Sequence, residues 1–277
     1  MRIVRTKVTF LGTGTSHGVP MIGCECAVCR STDPHDKRTR PSILIESQIP
    51  GLKTRPTSGR EEGPTSEVRI LVDTSTDLRM QALTCGVTRV DGILFTHSHA
   101  DHILGLDEVR RFNFGSHAPL PCYADAPTIK DIKQTFSYIF ENTGHVGGGI
   151  PKIQLNEIRG PFCFDHMEIV PVPIFHGKRP ILGFRIGSFA YLTDCSRIPD
   201  ESWPLLEGVR TLVVDALRDR PHPTHFSVNE ALEVVQRIAP ERAYFTHICH
   251  DLPHAATCAR LPRGVELAYD GLVLQTD

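Results

Sequence analysis

The segment of the sequence richest in potential ligands runs from His97 to His102 and reads His-Ser-His-Ala-Asp-His, with four ligand side chains in six residues. Neutral imidazole and carboxylate groups bind zinc and other divalent transition metals. The apolar run Gly92–Thr96 precedes it, so a buried strand would deliver the ligands at its carboxyl end. In an extended chain His97 and His99 point to the same side and can share one metal. The spacing therefore predicts a metal site, with a polar, solvent-facing loop as the alternative.

Three later polar residues each follow a strand-like segment. They are His176 after 169–175, Asp194 after 191–193 and His247 after 244–246. Any one of them alone could be a strand-end cap or another hydrogen-bonded polar residue.

This order of motifs resembles the metallo-β-lactamase superfamily, whose hydrolases carry His-x-His-x-Asp-His after a buried strand and then add a His, an Asp and a last His. The resemblance implies a four-layer αββα sandwich with two catalytic divalent ions, zinc or manganese. One ion would be held by His97, His99 and His176, the other by Asp101, His102 and His247, with Asp194 bridging. The resemblance also gives Asp73 a supporting role behind the metal loop, with a simple Asx turn as the alternative.

A second cluster of ligand types lies near the start of the chain. Cys24, Cys26 and Cys29 fall within six residues of a turn-rich loop, and this spacing lets three thiols converge on a tetrahedral ion. Nine cysteines in a chain without an export signal favour thiols and metal ligands over disulfides. Three free cysteines are the alternative. His250 is the candidate for the fourth ligand.

The cysteine loop and the late histidine resemble the branch of the superfamily that contains the cyclic phosphodiesterase of the carbon-phosphorus lyase pathway. This resemblance implies one structural zinc, which would hold the N-terminal loop against the loop that carries His247. It also implies a further histidine that assists catalysis. His225 has the matching position and His222 is its competitor, while a histidine that only supports the next helix cap is the alternative.

The rest of the sequence describes the scaffold. With 277 residues, 40% hydrophobic and 22% charged, it indicates a globular α/β protein with a single domain over residues 1–277. Residues 48–66, rich in Pro, Gly and charge, predict a surface loop rather than a substrate lid. Helical patterns are found at 101–112, 128–140 and 227–238. Strand-like segments are found at 8–12, 42–46, 68–73, 92–96, 152–158, 168–175, 183–193, 211–216 and 242–246.

The start of the chain has no apolar core of a signal peptide, and no run of residues could span a bilayer, so we expect a cytoplasmic protein without a membrane partner. The net charge of −2 offers no excess of cations for a long phosphate backbone, which argues against a nucleic-acid partner. The sequence does not specify the oligomeric state, and a homodimer is one option.

Together these observations predict a metal-dependent phosphodiesterase for a small substrate, cyclic diesters included. Water shared by two metals would be the nucleophile, Asp101 would orient it or take its proton, and His225 would protonate the leaving oxygen. A tRNA 3′-processing endonuclease and a hydrolase of a lactone, thioester or β-lactam are the enzymatic alternatives. A non-catalytic zinc-binding accessory protein is the alternative outside enzymes. His99 stands where the iron flavoproteins of the superfamily carry Glu, which argues against redox chemistry.

Overall fold

Two mixed β-sheets form the centre of the fold in the computed structural model, which describes residues 5–48, 67–113, 118–141 and 149–276. The strands found in these residues are β1 (Arg5–Gly12), β2 (Ser42–Gln48), β3 (Glu67–Val72), β4 (Gly92–Leu94), β5 (Leu120–Ala124), β6 (Ile153–Glu157), β7 (Phe162–Phe164), β8 (Met167–His176), β9 (Arg179–Ile186), β10 (Phe189–Leu192), β11 (Thr211–Asp215), β12 (Arg242–Thr246), β13 (Val265–Leu267) and β14 (Val273–Thr276). The strand order is β14-β1-β2-β3-β4-β5-β6 in the first sheet and β13-β12-β11-β10-β9-β8-β7 in the second.

The helices are short and several lie directly after strands. The α-helices found in the described residues are α1 (Leu78–Cys85), α2 (Ala100–Ile103), α3 (Ala126–Thr135), α4 (Ser137–Phe140), α5 (Val228–Ile238) and α6 (His254–Cys258). Three 3₁₀ helices cover Pro34–Asp36, Leu104–Asn113 and Asp200–Leu206. No helix in the described ranges is long and apolar enough to cross a membrane.

The period-two alternation of strand side chains produces four layers. In β2, Ile43 and Ile45 enter the apolar core between the two sheets, whereas Leu44 faces the core beneath α1, α2 and α3. In β11, Val213 lies between the sheets, and its neighbour Leu212 packs in the core that α5 covers from the other side. The layers are therefore helix, sheet, sheet and helix, which confirms the predicted αββα sandwich.

The strand pairing brings several chain reversals to one edge of the molecule. Strands β3, β4 and β5 pair in parallel, and so do β10, β11 and β12. Parallel strands end at a common edge of their sheet, where open α/β sheets bind their ligands. The polar residues at or just after these strand ends are Asp73, His97, Asp194, Asp215 and His247.

Two predicted elements are divided in the structure. The segment 183–193 forms parts of β9 and β10, because the chain reverses at Gly187, whose φ of 56° favours glycine. The helix predicted at 101–112 is α2 followed by a 3₁₀ helix. Gly105 at this junction donates its N–H to the carbonyl of Thr74, and a Cβ on Gly105 would lie 2.0 Å from the oxygen of Ser75. This close backbone approach accompanies the change of helix type.

One further predicted helix is divided, and one predicted helix cap is present. The helix expected at 128–140 is α3 and α4, separated at Phe136, whose φ and ψ of −115° and 45° are not helical. The capping box at the start of α5 is confirmed, since Ser227 and Glu230 each accept a hydrogen bond from the backbone of the other. The predicted loop at 48–66 lies almost wholly outside the described residues, and the single domain stays a prediction.

Candidate metal centre

The seven predicted ligands of the dinuclear site meet at the common edge of the two sheets. We call them the central cluster: His97, His99, Asp101, His102, His176, Asp194 and His247. Ligand atoms of His97, His99 and His176 lie within 4.8 Å of one another, and so do those of Asp101, His102, Asp194 and His247. Residues separated by up to 150 positions in the sequence are thus brought into two adjoining groups.

Asp194 lies between these two groups. Its Oδ1 is 3.1 Å from Nε2 of His247 and 4.0 Å from Nε2 of His97, and its Oδ2 is 3.2 Å from Nε2 of His102. The histidine closest to Oδ1 is therefore His247, and the one closest to Oδ2 is His102. The resemblance to the superfamily predicts a bridging ligand at this position.

Three strand-end residues at this edge have a left-handed backbone. The φ angles of Asp73, Asp194 and His247 are 62°, 57° and 60°. Such a conformation is uncommon outside glycine and costs about 1 kcal/mol or more per residue. The sharp reversal directs each side chain back over the end of its strand, and glycine could not supply a ligand there.

Two of the histidines are held by hydrogen bonds at Nδ1. His102 Nδ1 lies 2.7 Å from Oδ2 of Asp73. The hydroxyl of Thr96 donates to the same oxygen at 2.8 Å, and the backbone N–H of Thr96 donates to Oδ1 of Asp73 at 2.8 Å. His176 donates from Nδ1 to the carbonyl of Thr224 at 2.7 Å. A proton fixed at Nδ1 leaves the Nε2 lone pair free for a ligand. Asp73 therefore contacts the metal loop through both Thr96 and His102, in the supporting position that the resemblance implies.

The polar atoms of the central cluster fit a pair of divalent cations. Nε2 of His97 is buried and has no hydrogen-bond partner among the described residues, while Nε2 of His102 and of His247 is buried against carboxylate oxygens of Asp101 and Asp194 at 3.1–3.6 Å. Buried polar atoms of proteins are nearly always paired. Burial alone would raise the pKa of Asp194, but the neighbouring His247 and His102 hold it well below its usual range. Buried imidazole nitrogens that face ionised carboxylates form the donor set that divalent transition metals bind.

His225, the predicted catalytic histidine, stands beside the central cluster. Its ring centroid is 4.6 Å from that of His247 and 4.6 Å from that of His176. The competitor His222 is 5.3 Å from the ring of His225 and belongs to none of the ligand groups formed by the described residues. His225 is therefore the one of the two histidines that lies against the central cluster.

The partner of His225 is Asp215, which the sequence analysis missed. Nδ1 of His225 is 2.7 Å from Oδ2 of Asp215, a fully buried residue at the end of β11. Burial and the nearby His247 lower the pKa of His225 to about 3, and burial raises the pKa of Asp215. The resting imidazole is therefore neutral. The signal was present, since an apolar strand ends in an acid here as it does at Asp73.

The predicted zinc ligands also come together, and we call Cys24, Cys26, Cys29 and His250 the cysteine cluster. The three sulfur atoms lie 3.1, 3.4 and 3.6 Å from Nδ1 of His250. All nine cysteines of the chain are free thiols, as predicted. A hydrogen bond from the backbone of Cys29 lowers the pKa of Cys26 to about 6, whereas burial raises that of Cys29 to about 11. A bound cation would stabilise all three as thiolates.

A buried arginine, which no sequence motif indicated, joins the loops around the cysteine cluster. Arg38 is only 1% exposed and donates to the carbonyls of Cys249 and Leu252 at 2.9 and 2.7 Å. It also donates to Asp36 at 3.1 Å, and Asp36 accepts from the backbone of His254. The N-terminal loop is thereby fixed to the segment that carries His247 and His250.

Comparison with known proteins agrees with this geometry. Residues 68–248 match the family described as Beta-lactamase superfamily domain. The solved structure of a diphosphatase from the PhnP family is 41% identical and has a TM-score of 0.84, with 99% of this chain and 98% of that chain covered. Zinc-bound PqqB from Methylobacterium extorquens, at 18% identity and a TM-score of 0.73 over 97% of this chain and 99% of that one, shows the fold alone.

A curated relative is the octanoyltransferase of Porphyromonas gingivalis, 37% identical over 270 residues. The match covers 96% of this chain and 51% of that protein, so the chain spans about half the length of its curated relative. The family match covers most of this chain, and the diphosphatase aligns with nearly all of it. The chain therefore belongs to the β-lactamase superfamily and, within it, to the PhnP family.

Proposed function

We propose that this chain is a metal-dependent hydrolase that cleaves a phosphodiester or diphosphate bond in a small substrate. The observation that carries the proposal is the His225–Asp215 pair beside the central cluster. Cleavage of a P–O bond expels an alkoxide or phosphate oxygen that needs neutralisation, and a histidine backed by a carboxylate can supply a proton. The 41% identity to a diphosphatase supports this class of substrate.

The central cluster would hold two divalent cations, with Asp194 between them. When bound, the cations would polarise the phosphoryl oxygens and activate a water molecule. A third cation, zinc, would bind the cysteine cluster. Its four ligands lie away from the phosphoryl site and would act on the loop that bears His247.

The side chains of the site would handle the protons. Asp101 is ionised, because His102 and His247 lower its pKa more than burial raises it, so it can orient the attacking water and accept its proton. Neutral His225 can collect a proton at Nε2 and pass it to the leaving oxygen. Asp215, at Nδ1, would stabilise the imidazolium during this transfer.

Two other substrate classes have less support. A long nucleic acid would meet a chain with 30 basic and 32 acidic side chains, which has no general cationic excess. Acyl transfer is suggested only by the name of a relative of which this chain covers 51%. The same cluster could in principle act on a carbonyl carbon, so thioesters belong among the test substrates.

The test combines metal analysis with a substrate panel. The metal-loaded protein is assayed with bis(4-nitrophenyl) phosphate, ADP, a 2′,3′-cyclic nucleotide, precursor tRNA, a lactone, octanoyl thioester and a β-lactam. We expect the highest kcat/KM on one of the small phosphorus substrates. His225→Ala should lower that turnover with unchanged metal content, and His222→Ala serves as its matched control. A preference for the thioester, lactone or β-lactam over every phosphorus substrate would refute the proposal.

A further inference from the structure

A partly exposed arginine lies beside the central cluster and has no role in the steps above. Arg179 begins β9 and is the register partner of His176 in β8. Its Nη2 donates to the hydroxyl of Ser98 at 2.6 Å, and Ser98 lies between His97 and His99 in the chain. The guanidinium is thus anchored within one residue of two central ligands.

Arg179 uses only part of its hydrogen-bonding capacity. The same Nη2 lies 3.2 Å from Oδ2 of Asp131 on α3, and Ser98 also donates to that carboxylate. Nε and Nη1 have no hydrogen-bond partner in the described part of the chain. The side chain is 32% exposed, so solvent or a ligand can reach it. Nε and Nη1 therefore remain available, and each can donate a charge-assisted hydrogen bond to a phosphate or carboxylate oxygen.

The contacts with Ser98 and Asp131 restrict the position of the Arg179 guanidinium. Ser98 and Asp131 both bind Nη2, so the guanidinium is fixed at one end while its other nitrogens stay free. The turn before it is also held, because the backbone of Gly177 donates to the hydroxyl of Ser196 at 2.8 Å. After burial and His176, the charge of Arg179 is among the causes that lower the pKa of His99, in agreement with its closeness to the cluster.

We propose that Arg179 binds a second anionic group of the substrate, a phosphoryl or carboxylate group that does not react, and so selects substrates with two anionic groups over simple diesters. This inference rests on the proposed function. It narrows the substrate class to diphosphates and to diesters that carry a further phosphate or carboxylate. Ser98 and Asp131 act as positioning residues that hold the guanidinium next to the metal loop.

The competing explanation is that the Arg179–Asp131 ion pair merely braces α3 against β9. The two explanations predict opposite effects of Asp131→Asn on anion binding. If the pair is a brace, Arg179→Met and Asp131→Asn weaken the same structure and act in the same direction. If Arg179 binds an anion, Asp131 competes with that anion for the guanidinium, and Asp131→Asn should strengthen anion binding while its amide oxygen still accepts a hydrogen bond.

The first experiment measures binding by calorimetry to the metal-loaded protein. The probes are methylenediphosphonate, with two anionic groups, and methylphosphonate, with one. We expect Arg179→Met to weaken methylenediphosphonate binding by about tenfold to a hundredfold, in line with the loss of charged hydrogen bonds, and methylphosphonate binding by less than about threefold. Arg179→Lys should fall in between, because it keeps the positive charge but loses the Nε and Nη1 donors. Lys178→Met removes an exposed cation of the same turn and is the matched control.

The second experiment compares kcat/KM for ADP and bis(4-nitrophenyl) phosphate. Arg179→Met should lower the ratio of the two by about tenfold or more. Equal loss on both substrates, equal weakening of both phosphonates, or matching effects of Arg179→Met and Asp131→Asn would overturn the role of Arg179. If the wild-type protein hydrolyses neither substrate, the proposed function fails in this respect, and the calorimetry still decides whether Arg179 selects a second anionic group.

Discussion

The central cluster and the cysteine cluster both bring several ligand side chains together, but they take them from different parts of the chain. The central cluster collects single residues from strand ends of both sheets, and most of them are buried. The cysteine cluster takes three ligands from one short loop and only His250 from elsewhere, and its side chains remain partly exposed. The first therefore depends on the whole fold, whereas the second fixes two loops that the sheets do not hold. On the proposed function, the central cluster would carry out the chemistry and the cysteine cluster would stabilise the loops next to it.

The largest effect should come from the residue shared by the two halves of the central cluster. Asp194→Asn keeps a residue that tolerates the left-handed backbone but removes the negative charge between the histidines. We expect kcat/KM to fall by about a thousandfold or more, since a cation polarising the substrate contributes several kcal/mol. Metal analysis should show loss from the central cluster, with the cysteine-bound zinc retained. Full occupancy and turnover in this variant would contradict the bridging assignment.

The second largest effect should come from the His225–Asp215 pair, which lies beside the central cluster. His225→Ala should lower kcat by about a hundredfold to ten-thousandfold, the usual contribution of a positioned acid or base. Asp215→Asn should have a smaller effect in the same direction, because it replaces the carboxyl group that is hydrogen-bonded to Nδ1 of His225. Metal content and melting temperature serve as controls in both. Undiminished turnover of fully loaded His225→Ala would remove this residue from the mechanism.

A moderate effect is expected from the support behind the metal loop. Asp73→Asn keeps one acceptor oxygen but removes the charge that faces Nδ1 of His102. Outer partners of metal ligands commonly contribute about tenfold to a hundredfold to metal affinity or activity. We expect a loss in that range, measured as the metal concentration needed for half-maximal activity. Thr276→Val, a substitution of a distant buried hydroxyl, is the control, and equal changes in the two variants would contradict a specific role for Asp73.

The smallest effect on turnover should come from the cysteine cluster. Cys26→Ser should release zinc, lower the melting temperature by about 5–10 °C, and reduce kcat/KM by less than about tenfold. Activity falls because His247 and His250 share one loop. Cys163→Ser replaces an exposed free thiol and is the matched control. Unchanged melting and zinc content in Cys26→Ser would refute the structural role and remove the distinction between the clusters.

Sequence alone predicted those features in which local chemistry and tertiary structure agree. The metal loop was visible because four ligand types fall within six residues after an apolar strand. The sandwich followed from the resemblance, and the alternation of Ile43, Leu44 and Ile45 between two cores shows its physical basis. The cysteine loop was visible for a similar reason, since its spacing matches a tetrahedral site.

The features that sequence analysis missed depend on contacts between distant segments. Arg38 binds the carbonyls of Cys249 and Leu252, more than 200 residues away, and nothing near it in sequence marks it for burial. Strand β13 has only three residues and β14 four, so their alternation is too short to identify them. Asp215 could have been found by its position at the end of an apolar strand, whereas Asp73 was found through the resemblance to the superfamily.

The left-handed backbone at Asp73, Asp194 and His247 also limits how this site can change during evolution. Asp, Asn and His are the non-glycine residues that adopt this conformation most readily, and two of these types are also metal ligands. Exchanges between Asp and His at Asp194 or His247 could therefore adjust the preference between hard and softer metals without rebuilding the strand ends. Glu or Cys at the same positions would adopt this backbone less readily and at a higher cost in strain. Substitutions that change the metal preference and keep this backbone are thus limited to two amino-acid types, Asp and His.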